Sequence, residues 1–286
     1  MNNDRNKTIV IPRPIGVFDS GYGGLTILRS IRRALPQYDY LYLGDNARAP
    51  YGSRSFDVVY SFTRQAVDKL FDWGCPLVIL GCNTASAKAL RSIQQNDLPQ
   101  SGDPTRRVLG VIRPTVERLG EITKTGHIGV FGTPGTIASE SYDIEISKVN
   151  PDFVTVGHSC PMWVPLVENN EFDSVGADYF IRQECERLMA KDPKIDTIIL
   201  GCTHYPLLID KIRRYLPEDI KIITQGEIVA DSLVDYLARH PEMEQRISRG
   251  GKCSFLTTES AAKFSETASI FMDEKVIALQ TKLGNS

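Results

Sequence analysis

Short runs of β-branched and aliphatic residues alternate along this chain with longer stretches whose apolar positions recur every three or four residues. Runs of the first kind read as buried strands of a parallel sheet, and the second as amphipathic helices. Strands are predicted at 8–18, 40–43, 77–80, 108–112, 127–131, 153–156, 196–200, 220–224 and 253–257. Helices are predicted over 25–35, 56–72, 84–95, 115–123, 137–148, 172–191, 228–240 and 261–272, with a further one starting near Pro206. Residues 1–7 read as a loose polar tail, 44–55 as a polar loop and 96–107 as the most linker-like stretch. Strands and helices alternate throughout, which predicts an α/β fold with mainly parallel sheets and helices on both faces.

The pattern also repeats itself. LVILGCNTAS at 77–86 is echoed by TIILGCTHYP at 197–206, and IGVFDS at 15–20 by IGVFGT at 128–133. In both halves the strand with the Gly-rich turn comes first and the Gly-Cys strand second, at similar spacing, so the chain reads as an internal duplication. Two pseudo-symmetric doubly wound domains follow. In such sheets ligands bind beyond the carboxyl ends of the strands, which is where Cys82 and Cys202 stand. Asp19-Ser20-Gly21-Tyr22-Gly23-Gly24 forms the turn after the first strand, and the positive N-terminus of the next helix would suit a carboxylate there. Thr133-Pro134-Gly135-Thr136 is the corresponding turn in the second half, and Pro50-Tyr51-Gly52 marks a turn in a loop placed to carry binding groups.

A length of 286 residues accommodates two domains. Apolar residues make up 42% and charged residues 24%, ordinary for a globular chain, and a net charge of −2 gives no electrostatic reason to expect nucleic acid. Residues 1–14 lack a continuous apolar signal core and no run is long enough to span a membrane, so a cytoplasmic location without membrane contact is expected. The six cysteines are scattered, with no C-x-x-C, and read as reduced thiols.

Two thiols at equivalent strand ends of two similar halves suit one reaction class. Inverting a carbon centre that bears an acidic hydrogen requires a base on one face and an acid on the other, and a matched pair works in both directions. Thiols qualify because their pKa of about 8.5 is readily tuned by neighbours. Asn83, Thr84, Thr203, Ser20 and Thr136 can aim donors at developing carbanionic charge. His204, two residues beyond Cys202, would share a face with it on an extended strand. Asp19 could serve Cys82, hold a substrate ammonium, or merely cap the following helix. Glu168 is a further carboxylate for the Cys202 side. Cys75, Cys160, Cys185 and Cys253 read as inert buried thiols, and His127, His158 and His240 as structural. Zinc ligation by Cys82, Cys202 and His204 matches no usual spacing, and neither cysteine strand carries the lysine a pyridoxal enzyme needs.

FDSGYGG, GDNARAPYG, GCNTASA, SCPMWVPLVE and LGCTHYPLL, in this order, resemble the glutamate racemases of the aspartate/glutamate racemase superfamily, from Ile15 to about Phe271. The resemblance implies interconversion of L- and D-glutamate without a cofactor or metal, supplying D-glutamate for peptidoglycan. It implies that Cys82 and Cys202 are the acid/base pair, assisted by Asp19, Glu168 and His204. Asp19, Ser20, Pro50, Tyr51, Gly52, Asn83, Thr84, Thr133, Thr136, Thr203 and His204 become the candidate substrate contacts. It further implies a homodimer, a discontinuous first domain of residues 1–108 plus 226–286, and a second domain of residues 109–225, with the active site between them. Gly81, Trp163 and Gln225-Gly226 depart from the family pattern. A related two-cysteine racemase acting on aspartate or another acidic substrate, and a two-lobed binding protein without turnover, are the alternatives.

Overall fold

The structure is a computed structural model that describes residues 13–283. The predicted tail and the first part of the strand expected at 8–18 lie outside the described residues.

Ten strands form two sheets among the described residues: β1 Ile15–Asp19, β2 Tyr40–Gly44, β3 Leu77–Leu80, β4 Arg107–Gly110, β5 His127–Gly132, β6 Val154–Ser159, β7 Thr197–Gly201, β8 Lys221–Ile223, β9 Cys253–Thr257 and β10 Ala278–Gln280. The larger sheet runs β10-β9-β2-β1-β3-β4 and the smaller β6-β5-β7-β8, and every pairing is parallel. The order β2-β1-β3-β4 in one sheet is the order β6-β5-β7-β8 in the other, so the repeated sequence strings occupy matching places. The C-terminal strands β9 and β10 return to extend the first sheet beyond β2.

Each strand divides its side chains between two faces. Ile15 and Val17 of β1 and Leu77 and Ile79 of β3 join a core that continues through Ile198 and Leu200 of β7, so both sheets share it. Phe18, Val78 and Leu80 point the other way, into a cluster under the helix Phe56–Asp72. Burial on both faces explains why β1, β3 and β7 are near-continuous apolar runs rather than alternating ones.

Several predicted elements differ in form. The helix expected over 84–95 is α-helical over Asn83–Lys88 and Leu90–Ser92, interrupted at Ala89, and then widens into a π turn at Ile93–Asp97. Ile93 and Leu98, five residues apart, are both buried in one cluster, and a π turn stacks residues at that separation. The turn at 133–136 is the start of a helix, Pro134–Ala138, which Thr133 caps by accepting from the Thr136 N–H at 3.2 Å. The helix predicted over 137–148 is interrupted by Glu140 in the left-handed conformation, with φ 54°. The polar stretch 96–107 leads into β4, which still belongs to the first sheet, and the chain crosses to the second only after Gly110. β10 and the short helix Pro241–Glu244, which carry little periodicity, were not anticipated.

Candidate active site

Chain order reverses around β1 and around β5, because the strand that follows each in sequence pairs on one side and the next on the other. These are the crevices where open α/β sheets bind ligands. Asp19 ends β1, Cys82 follows β3, Thr133 follows β5 and Cys202 follows β7. The two crevices face each other. A Cβ on Gly23 would lie 2.2 Å from Thr203 Oγ1 and 2.7 Å from His204 Nδ1, so only glycine lets the first turn approach the second this closely.

Cys82 caps the helix Asn83–Lys88, its sulfur accepting from the Ala85 N–H at 3.5 Å with Ser20 Oγ also at 3.5 Å. Burial pushes its pKa up to about 12, and negative charge on Asp19 adds to this, while the Ala85 N–H and the Ser20 hydroxyl pull the other way. Cys82 therefore holds its proton at neutral pH. The Asp19 carboxyl is also raised, by burial first, with the positive charge of His204 and the Gly21 and Gly24 N–H groups opposing. Asp19 is not the cap of the following helix: Gly23 occupies that position, and Asp19 Oδ1 accepts from the Gly21 N–H at 2.8 Å. Its Oδ2 lies 3.5 Å from Thr203 Oγ1, across the cleft.

On the other side, Cys202 Sγ is 3.8 Å from His204 Nδ1. The proximity does not arise as strand alternation, since β7 ends at Gly201; residues 202–204 form a turn that folds the imidazole back over the sulfur. His204 Nε2 stands 3.2 Å from Glu168 Oε1, an ion-pair distance without hydrogen-bond alignment. Burial works against a charge on His204, but Cys202 and Glu168 outweigh it and hold the imidazole up to about 10. An imidazolium thus stands beside Cys202, while a carboxyl stands beside Cys82.

The hydroxyls of Thr84, Thr133 and Thr136 form a triangle that ties the halves together, with Thr84 Oγ1 3.0 Å from Thr133 and 3.2 Å from Thr136. Gly52 O accepts from the Gly135 N–H at 2.7 Å, and a Cβ on Gly52 would meet Thr133 Cβ at 2.8 Å. Pro50, after a cis Ala49–Pro50 bond, and Tyr51 bring this loop into place. The Tyr51 hydroxyl is directed away, donating to the buried Asp45, which also accepts from Arg48 Nε at 2.7 Å and Thr258 Oγ1 at 2.8 Å. The Tyr51 hydroxyl is thus spent within the first half.

Sequence reasoning did not single out Asp45 or Tyr142. The Tyr142 hydroxyl donates to Asn83 Oδ1 at 2.7 Å, and Gln225, noted only as a departure, accepts from Asn83 Nδ2 at 2.6 Å. No local pattern marks these residues, which lie far apart in sequence. Trp163 is fully buried between Phe131 and Tyr205, its ring centre 4.8 and 4.9 Å from theirs, with its indole N–H unpaired. The cleft is closed around the thiols, each only 6% exposed. A cavity of about 770 Å³ lies elsewhere, between the halves near Lys88, Arg113 and Lys148, and a smaller one of about 320 Å³ borders Cys202 and Thr203 from the side of Arg29 and Gln225. Among the described residues no three His, Cys, Asp or Glu side chains gather as metal ligands, and no helix is long and apolar enough to cross a membrane.

This architecture has relatives. The family model for Asp/Glu/hydantoin racemase matches residues 15–233. A glutamate racemase from Roseobacter denitrificans is 40% identical over 273 residues, covering 92% of this chain and 97% of the relative. One from Ruegeria pomeroyi is 39% identical over 273 residues, again 92% and 97%. Among solved structures, glutamate racemase isoform RacE1 from Bacillus anthracis superposes with a TM-score of 0.85 at 34% identity, covering 95% of this chain and 98% of that one. The Francisella tularensis glutamate racemase in complex with D-glutamate gives 0.82 at 29% identity, covering 96% and 98%. The chain belongs to the Asp/Glu/hydantoin racemase family, and within it to the glutamate racemases.

Proposed function

We propose that this chain interconverts L- and D-glutamate by a two-base mechanism in which Cys82 and Cys202 exchange a proton with opposite faces of Cα, supplying D-glutamate for peptidoglycan. One observation carries the assignment of the bases: the two thiols occupy equivalent strand ends of the two sheets and face one closed cleft. The cysteine on one face takes the Cα proton as a thiolate. The resulting carbanion, its charge spread into the α-carboxylate, takes a proton from the thiol on the other face. The products are the opposite enantiomer and an enzyme with the two protonation states exchanged.

Asp19 and Ser20 serve Cys82 in this reading, and His204, backed by Glu168, serves Cys202. The donors left to hold substrate are those of Ser20, Asn83, Thr84, Thr133, Thr136 and Thr203 and the backbone N–H groups of Tyr51 and Gly52, in the loop that Pro50 begins. No step requires a cofactor. We divide the chain into a first domain of 1–108 plus 226–286 and a second of 109–225; β9 and β10 adding to the first sheet support the discontinuous first domain, and β4 carries that sheet on to Gly110, two residues past the expected boundary. The reading takes the enzyme as a cytoplasmic homodimer, which sedimentation of the purified protein checks by mass.

Circular dichroism of purified protein with L-glutamate, D-glutamate and, as control, L-aspartate tests the function. Decay of both glutamate signals to zero is expected without added pyridoxal phosphate or metal, whereas decay of the aspartate signal alone transfers the reaction to another substrate. Cys82→Ala and Cys202→Ala are each expected to lower turnover by roughly 10²–10⁴-fold, the usual contribution of a positioned acid or base. Near-normal two-way turnover in either variant would sink the two-thiol mechanism.

A further inference from the structure

Asn83, Tyr142 and Gln225 close a ring of hydrogen bonds that proton transfer does not require. Asn83 Nδ2 donates to Gln225 Oε1 at 2.6 Å, the Tyr142 hydroxyl donates to Asn83 Oδ1 at 2.7 Å, and Gln225 Nε2 donates to the Tyr142 oxygen at 3.0 Å. The other Gln225 N–H is shared between Thr115 Oγ1 at 3.0 Å and the Val111 carbonyl at 3.1 Å. Thr115 gives its own proton to Val111 O at 2.9 Å, so its oxygen is free to accept. Gln225 is 3% exposed and Asn83 and Tyr142 are each 2% exposed, so water cannot substitute for these bonds.

The ring has one self-consistent direction. Tyr142 receives from Gln225 and must therefore give its proton to Asn83, which fixes Oδ1 of Asn83 toward Tyr142 and Nδ2 toward Gln225. A flip of the Asn83 amide would set donor against donor and acceptor against acceptor. One Asn83 N–H is left unspent, in an orientation the ring dictates.

Its members come from both halves and from the two crossings between them. Asn83 directly follows Cys82 on the first sheet. Tyr142 lies on the helix Ser141–Val149 of the second half, close enough to Cys202 that charge there raises its phenol, after the larger effect of burial. Val111 is where the chain leaves the first sheet after β4, and Gln225 is where it returns after β8. The two crossings are thus bonded to each other and, through the same amide, to the residue beside Cys82.

We propose that Gln225 is a positioning residue for racemisation, orienting Asn83 so that its remaining N–H meets the substrate carboxylate when the two crossings are in register. This rests on the reading of Asn83 as a substrate contact.

Steady-state kinetics in both directions on wild type, Gln225→Glu, Asn83→Ala and the double variant test it, with melting temperatures measured alongside. Gln225→Glu keeps an acceptor for Asn83 but loses the N–H groups that serve Tyr142, Thr115 and Val111. KM for both enantiomers is expected to rise roughly tenfold, with a smaller change in kcat, as for a misaligned buried hydrogen bond. In the Asn83→Ala background the same substitution should change KM little, because the residue it acts through is gone. Effects that multiply in the double variant, or a KM at the wild-type value in Gln225→Glu, overturn the proposal while leaving the racemase reading intact. A folded wild type inactive on glutamate overturns both. If Gln225→Glu does not fold, Tyr142→Phe breaks the ring from the other side, and the same criteria apply to it alone and with Asn83→Ala.

Discussion

In the proposed mechanism each sulfur is governed by its neighbours. Cys82 sits beside a carboxyl and deep in the fold, and both conditions keep its proton on. Cys202 faces an imidazole whose charge is maintained by Glu168 as well as by the sulfur itself. That charge has a consequence for stability. The folded value of His204, about 10, lies above its ordinary value of 6.5, so the native state binds this proton more tightly than the unfolded chain. The contribution to stability is fully present below about pH 6.5 and is lost as pH rises toward about 10. Urea midpoints measured from pH 6 to pH 10 should fall in the wild type, and His204→Asn should flatten that decline. Gly23 offers a second test at this scale. Its backbone is right-handed helical, φ −57° and ψ −39°, so alanine brings no backbone strain. The added methyl would nevertheless intrude on Thr203 and His204. Gly23→Ala is expected to lower kcat/KM by roughly tenfold or more and to lower the melting temperature by several degrees, in keeping with about 1–3 kcal/mol for overpacking a buried contact.

Elements in this chain place their candidate site residues at their ends. Strands β1, β3, β5 and β7 are buried and inextensible, and each delivers one polar residue at its carboxyl end into the same cleft. Two of the following helices are capped by candidate site residues, Cys82 and Thr133, so the cap fixes the side chain in place. Thr133→Val keeps the shape, removes the cap acceptor and opens the hydroxyl triangle with Thr84 and Thr136. The loss of the cap should cost about 1 kcal/mol, or roughly 2–4 °C in melting temperature. The same variant should raise KM for both enantiomers, because the triangle joins the halves around the substrate. Helices with a plain amphipathic period were legible to the residue: Phe56–Asp72 and Ala261–Met272 appear as predicted. The segment after Lys88 was not, because its π turn answers to where Ile93 and Leu98 must be buried, a tertiary demand that period 3.6 does not encode.

At the scale of the molecule, two similar sheets share one core and one cleft, and the C-terminal segment completes the first of them. β9 covers the hydrogen-bonding edge of β2, and Tyr42 packs its ring on Phe255 of β9 and on Phe264 of the helix Ala261–Met272. Deleting residues 252–286 would expose that edge along a fully buried strand, the situation that leads to strand-to-strand aggregation. Most of the truncated chain should be found in the insoluble fraction after expression, whereas recovery of soluble, cooperatively melting protein would show the first sheet to be complete without it. The sequence by itself determined the α/β class, the duplication and the two cysteines at equivalent strand ends, because strand burial and the Gly-Cys turns are local and recur. It also named Asp19, Glu168 and His204 as partners. Only the tertiary structure decided how these groups meet: that His204 reaches Cys202 through a turn, that Asp19 spans toward Thr203, and that Tyr142 and Gln225 hold Asn83. Those contacts join residues from separate elements, and the physical reason they are silent in the sequence is that a buried hydrogen bond needs only a matching donor and acceptor in space, with no pattern along the chain.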